Sequence, residues 1–152
     1  MSNSQQPNQP EANEQKLNQL ELERLKASLA NVAETYNDSA FLQKEVAERL
    51  LERLDLMNIK PQFILDAGCG TGYCTRALKK KYKKSSIIGV DFSENMLKQA
   101  ISANSFFNKI DYQQADINQL PFANNYFDLV FSNLAMHWIM EPKKALLELN
   151  RV

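Results

Sequence analysis

The chain has 152 residues, enough for one domain, and 44% of them are hydrophobic, which excludes a wholly disordered chain. The charges of its 18 basic and 18 acidic residues cancel, and a net charge of zero argues against a protein that binds nucleic acid through the phosphates. The sequence has no apolar run long enough for a membrane span and no secretory pattern, and its two cysteines indicate no disulfide framework. We therefore expect a cytoplasmic protein that binds neither nucleic acid nor a membrane.

The N-terminal part of the chain is polar and precedes the predicted domain. Residues 1–14 are rich in Asn, Gln and Pro, a composition that favours disorder. Apolar residues then recur at helical spacing from Glu14 to Val32, and a second helical pattern runs from Leu42 to Met57. We expect residues 1–25 to be a partly disordered extension and residues 26–152 to form the domain.

Four apolar runs alternate with helical patterns along the rest of the chain. The predicted strands are Phe63–Asp66, Ile87–Asp91, Ile110–Asp116 and Phe127–Asn133, and the predicted helices are Tyr73–Lys84, Glu94–Ala103 and a segment from Pro142. This alternation predicts a parallel sheet with right-handed crossovers. If each crossover lays its strand beside the last, Asp66, Asp91 and Asp116 lie at neighbouring strand ends, where open α/β sheets bind ligands.

A glycine-rich turn after the first predicted strand is the most specific feature of the sequence. Asp66 is followed by Gly68, Gly70 and Gly72 at alternate positions. A dinucleotide site would need glycine in place of Tyr73, and a phosphate-binding P-loop would need a Gly-Lys pair, which the chain lacks. The spacing that remains, D-x-G-x-G-x-G, resembles the glycine motif of class I S-adenosylmethionine (SAM) methyltransferases.

From about Lys26 to Val152 the chain resembles the malonyl-acyl-carrier-protein O-methyltransferases of biotin synthesis, over their N-terminal, cofactor-binding part. The matching segments are Tyr36–Gln43, Leu65–Tyr73, Asp91–Leu97, Leu120–Phe122, Phe127–Ala135 and His137–Trp138. The resemblance implies a Rossmann-like α/β fold, SAM as cofactor, and an acyl-carrier protein or malonyl thioester as acceptor. A malonyl carboxylate is ionised near neutrality and needs no general base, which agrees with a chain that has a single histidine.

The resemblance also implies a cofactor site along the ends of the strands. Its expected members are Asp66, Gly68, Cys69, Gly70, Gly72, Asp91, Phe92, Met96, Asp116, Ile117 and Asn133. Asp66 and the backbone from Gly68 to Gly72 would face the methionine end of SAM. Asp91 would accept hydrogen bonds from both ribose hydroxyls, since one carboxylate has two oxygens for this task.

The remaining positions complete the site that the resemblance implies. Phe92 and Met96 would flank the adenine, while Asp116 would accept from its amino group beside the Ile117 N–H. Asn133 would face the transferring methyl group. Three further residues are expected to be pocket residues, without a catalytic role: Tyr36, Gln43 and His137.

Two other features have plainer interpretations. Cys69 and Cys74 have no further ligands nearby, so we expect reduced thiols and no metal. The five lysines within Lys79–Lys84 could dock an acidic carrier protein. They also end a predicted helix, where cations complement the helix dipole, and we favour this structural interpretation.

The residues at the end of the fourth predicted strand argue against one subclass of methyltransferase. Amino-methylating DNA enzymes have an Asn/Asp-Pro-Pro-Tyr/Phe segment there, whereas this chain has Ser132–Ala135. Two alternatives to the malonyl-acyl-carrier-protein methyltransferase stay open: another small-molecule class I methyltransferase, and an incomplete SAM-binding half-domain that needs a partner. The helical pattern from Pro142 reaches Val152 without a stop signal, so we expect the sheet to be truncated after its fourth strand. The oligomeric state is left open.

Overall fold

A computed structural model describes residues 41–105 and 110–152, together with Leu20 and Arg24. Its helices are α1 (Phe41–Arg53), α2 (Tyr73–Lys81), α3 (Glu94–Ser102) and α4 (Pro142–Arg151). Its strands are β1 (Phe63–Ala67), β2 (Ser86–Asp91), β3 (Asp111–Gln114) and β4 (Leu129–Phe131). Short 3-10 turns follow α1 at Leu54–Leu56 and precede α4 at Met136–Trp138. The helix predicted over residues 14–32 and the boundary at residue 25 lie outside the described residues, apart from Leu20 and Arg24.

The strands form one parallel sheet in the order β3-β2-β1-β4. The chain adds β2 and β3 on one side of β1 and then crosses back to place β4 on the other side. Asp66, near the end of β1, therefore lies opposite Gly89 of β2 and Phe131 of β4. The strand order reverses at the carboxyl end of β1, which is where sheets of this kind bind their ligands.

Apolar side chains pack both faces of the sheet. Alternate residues of a strand point to opposite faces, so Ile64 and Leu65 belong to two separate core clusters. One cluster includes Ala47 of α1 and Leu78 of α2, and the other includes Ala145 of α4. Burial on both faces is the reason why β1 reads as a continuous apolar run in the sequence.

The two outer strands are shorter than predicted, and in each case a hydrogen bond outside the sheet holds the chain at the shortened end. The strand expected to reach Asp116 ends at Gln114, because the Asp116 side chain accepts the Asn118 N–H at 2.8 Å and closes a turn. The strand expected from Phe127 begins at Leu129, because the Phe127 N–H donates to the carbonyl of Val152 at 2.8 Å. Asp116 is thus beyond its strand, in an isolated bridge with Gln119.

The helices follow the predicted pattern with small shifts at their ends. Helix α2 ends at Lys81 rather than Lys84, because Tyr82 leaves helical geometry with φ −106° and ψ 68°. Helix α3 begins after Ser93, whose hydroxyl accepts the Met96 N–H as an N-cap. Among the described residues, none of the helices combines the length and apolar character that crossing a membrane requires.

Candidate cofactor site

The turn after β1 is fixed to β2 by its own backbone. The Gly68 and Cys69 N–H groups both donate to the Val90 carbonyl, at 2.9 Å each. The Gly72 N–H then donates back to the Cys69 carbonyl at 2.9 Å, and α2 begins at the next residue. The sequence therefore folds here into a strand, a tight turn and a helix start, as the glycine spacing predicts.

The three glycines of the turn meet different surroundings. A Cβ at Gly68 would lie 2.3 Å from the Cβ of Ala135, and one at Gly72 would lie 2.6 Å from the Tyr112 hydroxyl. A Cβ at Gly70 would meet no atom within 4 Å, although its φ of +53° still disfavours other residues. Packing thus requires glycine at the two flanking positions, whereas Gly70 presents backbone to open space.

Asp91, the last residue of β2, joins the glycine turn to α3. The carboxylate is only 6% exposed and accepts the Gly70 N–H at 2.8 Å and the Ser93 N–H at 2.9 Å. Burial raises the pKa of Asp91, and hydrogen bonds from the backbone of Ser93 and Gly70 oppose that rise. Each carboxylate oxygen can accept a second hydrogen bond, so these contacts leave acceptor capacity for a ligand.

Asp66 is the second buried carboxyl group of the site. It is 1% exposed, and its Oδ2 accepts the Thr75 hydroxyl at 2.6 Å. Burial, with a smaller contribution from the negative charge of Asp91, raises the pKa of Asp66 from 3.8 to about 7. The charge of this group therefore changes near neutral pH, and a bound cation would favour its ionised form.

A cleft that is partly open to solvent lies beside the turn. It is lined by Gln43, Lys44, Asp66, Gly68, Cys69, Gly70, Thr71, Tyr73, Cys74 and Asn133. These residues come from α1, β1, the glycine turn, the start of α2 and the loop after β4. The cleft thus occupies the point between β1 and β4 where the strand order reverses.

Six of the residues predicted for the site line this cleft: Gln43, Asp66, Gly68, Cys69, Gly70 and Asn133. Asn133 also links two walls of the cleft, because its Nδ2 donates to the Gln43 carbonyl at 3.0 Å. The thiol of Cys69 is buried, and burial raises its pKa well above the usual range. It is therefore a neutral wall of the cleft at neutral pH.

The other predicted residues lie outside the lining of this cleft: Gly72, Asp91, Phe92, Met96, Asp116, Ile117 and His137. Met96 and Ile117 are buried, while Asp116 is exposed beyond β3. His137 is exposed and lies 4.6 Å from Trp138 between ring centroids. Tyr36 is outside the described residues. The roles assigned to this group on the adenosine side therefore stay predictions.

Four residues that shape the cleft were not among the predicted site residues: Lys44, Tyr73, Cys74 and Thr75. Thr71, which also lines the cleft, falls within the predicted backbone segment Gly68–Gly72. Lys44 directly follows Gln43, a predicted pocket residue, and this position in the sequence was the only signal that Lys44 lies near the cleft. Thr75 is a fully buried polar residue in the first turn of α2, and it reaches Asp66 through the hydrogen bond described above. Only the packing of α1 and α2 against β1 brings these side chains to the site.

The sheet order, the glycine turn after the central strand and the carboxylate at the end of the next strand define a class I SAM-dependent methyltransferase fold. The predicted fold class is confirmed in this respect. The chain belongs to the methyltransferase-domain family, whose sequence profile matches residues 65–152.

Named relatives fall within the same class. The chain is 42% identical over 135 residues to the malonyl-[acyl-carrier protein] O-methyltransferase of Methylovorus sp., covering 85% of this chain and 46% of the relative. The enzyme of that name from Halorhodospira halophila is 42% identical over 120 residues, with 79% and 41% covered. A SAM-dependent methyltransferase structure from Aquifex aeolicus aligns with a TM-score of 0.66 at 26% identity, covering 81% of this chain and 66% of that one. The chain spans less than half the length of the two curated relatives.

Proposed function

We propose that the chain binds SAM beside the glycine turn and serves the O-methylation of the free carboxylate of malonyl-acyl-carrier protein, a step of biotin synthesis. The observation that carries the proposal is the hydrogen bond from the Gly70 N–H to Asp91. It places the expected ribose acceptor directly beside the glycine of the turn that has no neighbouring atoms on its Cβ side. The acceptor is inferred from the names of the relatives, which are 42% identical to this chain.

The amino-acid end of SAM is proposed to lie in the cleft. This end carries an α-ammonium and an α-carboxylate, and the adjacent sulfonium is also cationic. Asp66 and Lys44 both line the cleft and offer charges of the two complementary signs. Backbone from Gly68 to Gly70 forms the wall against which the methionine chain would lie.

The adenosine end is proposed to lie on the far side of the turn. Asp91 would accept the ribose hydroxyls with the lone pairs that Gly70 and Ser93 leave free. Phe92 directly follows Asp91, and its carbonyl is fixed by the Gln114 side chain at 2.8 Å. Asp116 and the Ile117 N–H follow β3, the strand next to β2, and so approach the same end of the sheet.

For methyl transfer, the main task of the protein is to align the methyl donor with the acceptor carboxylate. Bound SAM supplies an electrophilic methyl group, and a malonyl carboxylate is already ionised near neutral pH, since reference carboxyl values are about 4. The protein therefore needs no general base and has to hold donor and acceptor at near-attack distance. Asn133 follows the carboxyl end of β4, and its side chain donates a hydrogen bond to the Gln43 carbonyl. We propose that this side chain faces the methyl group.

A transfer assay with two carrier-protein thioesters tests the acceptor. The purified protein is incubated with methyl-labelled SAM and malonyl-acyl-carrier protein, and acetyl-acyl-carrier protein serves as the matched control without a free carboxylate. We expect label on the malonyl form alone, as a methyl ester that alkali releases. Malonyl-acyl-carrier protein that stays unlabelled would contradict the proposed acceptor. Transfer of label to a different small molecule in a parallel incubation would then establish the other methyltransferase alternative.

A second candidate is a SAM-binding half-domain that needs a partner. Its support is the outer edge of β4, which no strand covers within the described part of the chain, next to the exposed side chains of Leu134 and Trp138. A partner strand would satisfy this edge. The same assay separates the candidates, because the half-domain would bind SAM and transfer no label until its partner is added.

A further inference from the structure

The hydroxyl of Thr75 donates a hydrogen bond to the Asp66 carboxyl group. Thr75 is fully buried in the first turn of α2, and its Oγ1 donates to Asp66 Oδ2 at 2.6 Å. A hydroxyl that is removed from water needs such a partner, so the bond fixes the rotamers of both side chains. Asp66 in turn lines the cleft.

Among the described residues, no lysine, arginine or histidine is buried as deeply as Asp66. Asp91, at the end of β2, adds repulsion between like charges. Cys69 of the turn and Cys74 of α2 are buried thiols whose pKa values are raised, so both are neutral near neutral pH. Lys44 of α1 and Tyr73 of α2 line the same cleft. The hydroxyl and the backbone N–H of Thr75 both lower the pKa of Asp66 and so oppose the effect of burial.

We propose that Thr75 is a positioning residue that orients the Asp66 carboxylate within the cleft and favours its charged form, so that the cleft holds a cationic ligand at neutral pH. The inference rests on the proposed function, in which that cation is the ammonium or sulfonium of SAM. Asp66 contacts the ligand in this scheme, whereas Thr75 acts only through Asp66.

Two substitutions separate the hydroxyl from the shape of the side chain. Thr75→Val keeps the branched shape and removes the donor, and Thr75→Ser keeps the donor. SAM affinity is measured by calorimetry from about pH 5.5 to about pH 9, a range that spans the titration of the Asp66 carboxyl. We expect affinity in the unsubstituted protein to rise with pH from about 5.5 towards neutrality as Asp66 ionises. The α-ammonium of SAM titrates at about pH 8, so each variant is compared with the unsubstituted protein at the same pH.

The valine variant should move this rise to higher pH. A shift of about one unit corresponds to about tenfold weaker binding at pH values well below the original midpoint. The difference narrows as the pH passes the two midpoints. Thr75→Ser should restore the original profile. A Thr75→Val profile that superimposes on the original would overturn the proposal and leave Thr75 a packing residue.

A measurement without SAM tests the coupling of Thr75 and Asp66 separately from the proposed function. Carboxyl carbon NMR of Asp66 reports its titration directly, and the midpoint should rise in Thr75→Val and not in Thr75→Ser. If SAM fails to bind at every pH while this midpoint shifts, the proposed function is wrong and the coupling of the two residues holds. If valine prevents folding, Thr75→Ala and Thr75→Ser are compared in the same titration, and equal midpoints would overturn the proposal.

Discussion

At the scale of single residues, Asp91 has two structural contacts and one proposed ligand contact. Its carboxylate accepts from Gly70 and Ser93 and so holds the glycine turn against the start of α3. The same oxygens are the proposed ribose acceptors. A substitution there should therefore affect both folding stability and cofactor affinity, and the two effects need separate measurements.

Replacing Asp91 should weaken SAM binding. We expect Asp91→Ala to lose hydrogen bonds to a charged acceptor of about 1.5–3 kcal/mol each, or tenfold or more in Kd. Asp91→Asn, which keeps the shape, should retain more of the fold and still lose affinity. Calorimetric titration measures the affinity, with circular dichroism to verify folding and Glu94→Gln as an exposed control. Unchanged affinity in folded Asp91→Ala would remove Asp91 from the site.

The Asp66 carboxyl predicts how stability depends on pH. Its pKa is about 7 in the folded protein against an ordinary 3.8, so between these values the folded state keeps a proton that the unfolded state has released. Stability should thus fall as pH rises from about 4 to about 7, with a slope on the order of 1 kcal/mol per unit from this group. Urea unfolding across this window measures the slope. Asp66→Asn should flatten it, and an equal slope in the variant would assign the effect to other groups.

At the scale of elements, the glycine turn separates positions needed for packing from the position proposed to meet the ligand. Gly68 and Gly72 face side chains of Ala135 and Tyr112, whereas Gly70 faces open space. Substitutions at the three positions should therefore have different consequences.

Gly70→Val should abolish SAM binding while the fold persists. The cost to folding comes from the positive φ, on the order of 1 kcal/mol, because an added Cβ meets no neighbour. Gly68→Ala is the matched comparison and should lower the melting temperature more, since its Cβ would overlap Ala135. Thermal melts and SAM titrations measure the two effects. Normal SAM binding by Gly70→Val would mean that the turn has only a structural role.

The elements also show what the sequence could predict. The sequence predicts strands β1 and β2 and helices α2 and α3 to within a few residues, because strands buried on both faces and helices with an apolar face leave local patterns. For α3 the N-cap Ser93 adds a start signal. β3 was harder, since its residues are mostly polar and exposed. In the cleft, the positions of Asp66 and the glycines are predicted by the spacing of the D-x-G-x-G-x-G motif. Those of Lys44 and Thr75 are not, because their place depends on how α1 and α2 pack against the sheet.

At the scale of the whole molecule, the described chain leaves apolar surface uncovered on α4. Leu146 and Leu147 of this helix are exposed, as are Trp138 and Met140 just before it. Adjacent apolar side chains of this kind favour association. This surface lies on the part of the chain that follows β4, whose outer edge no described strand covers.

We expect the purified chain to self-associate as its concentration rises. Leu147→Lys should reduce the association, whereas Ile101→Lys, at an exposed apolar position on α3, is the matched control and should not. Sedimentation velocity over a range of concentrations measures the effect. A chain that stays monomeric throughout, with no difference between the variants, would contradict this expectation.

The central claim is that the cleft and turn at the carboxyl end of β1 bind SAM, and a calorimetric titration of the folded chain tests it most directly. SAM, its demethylated product and NAD are titrated in parallel, with ATP as a further control for nucleotide binding. The structure predicts saturable binding of SAM and of its product at a single site, and no binding of NAD or ATP. Folded protein that fails to bind SAM, or that binds NAD instead, would contradict the claim.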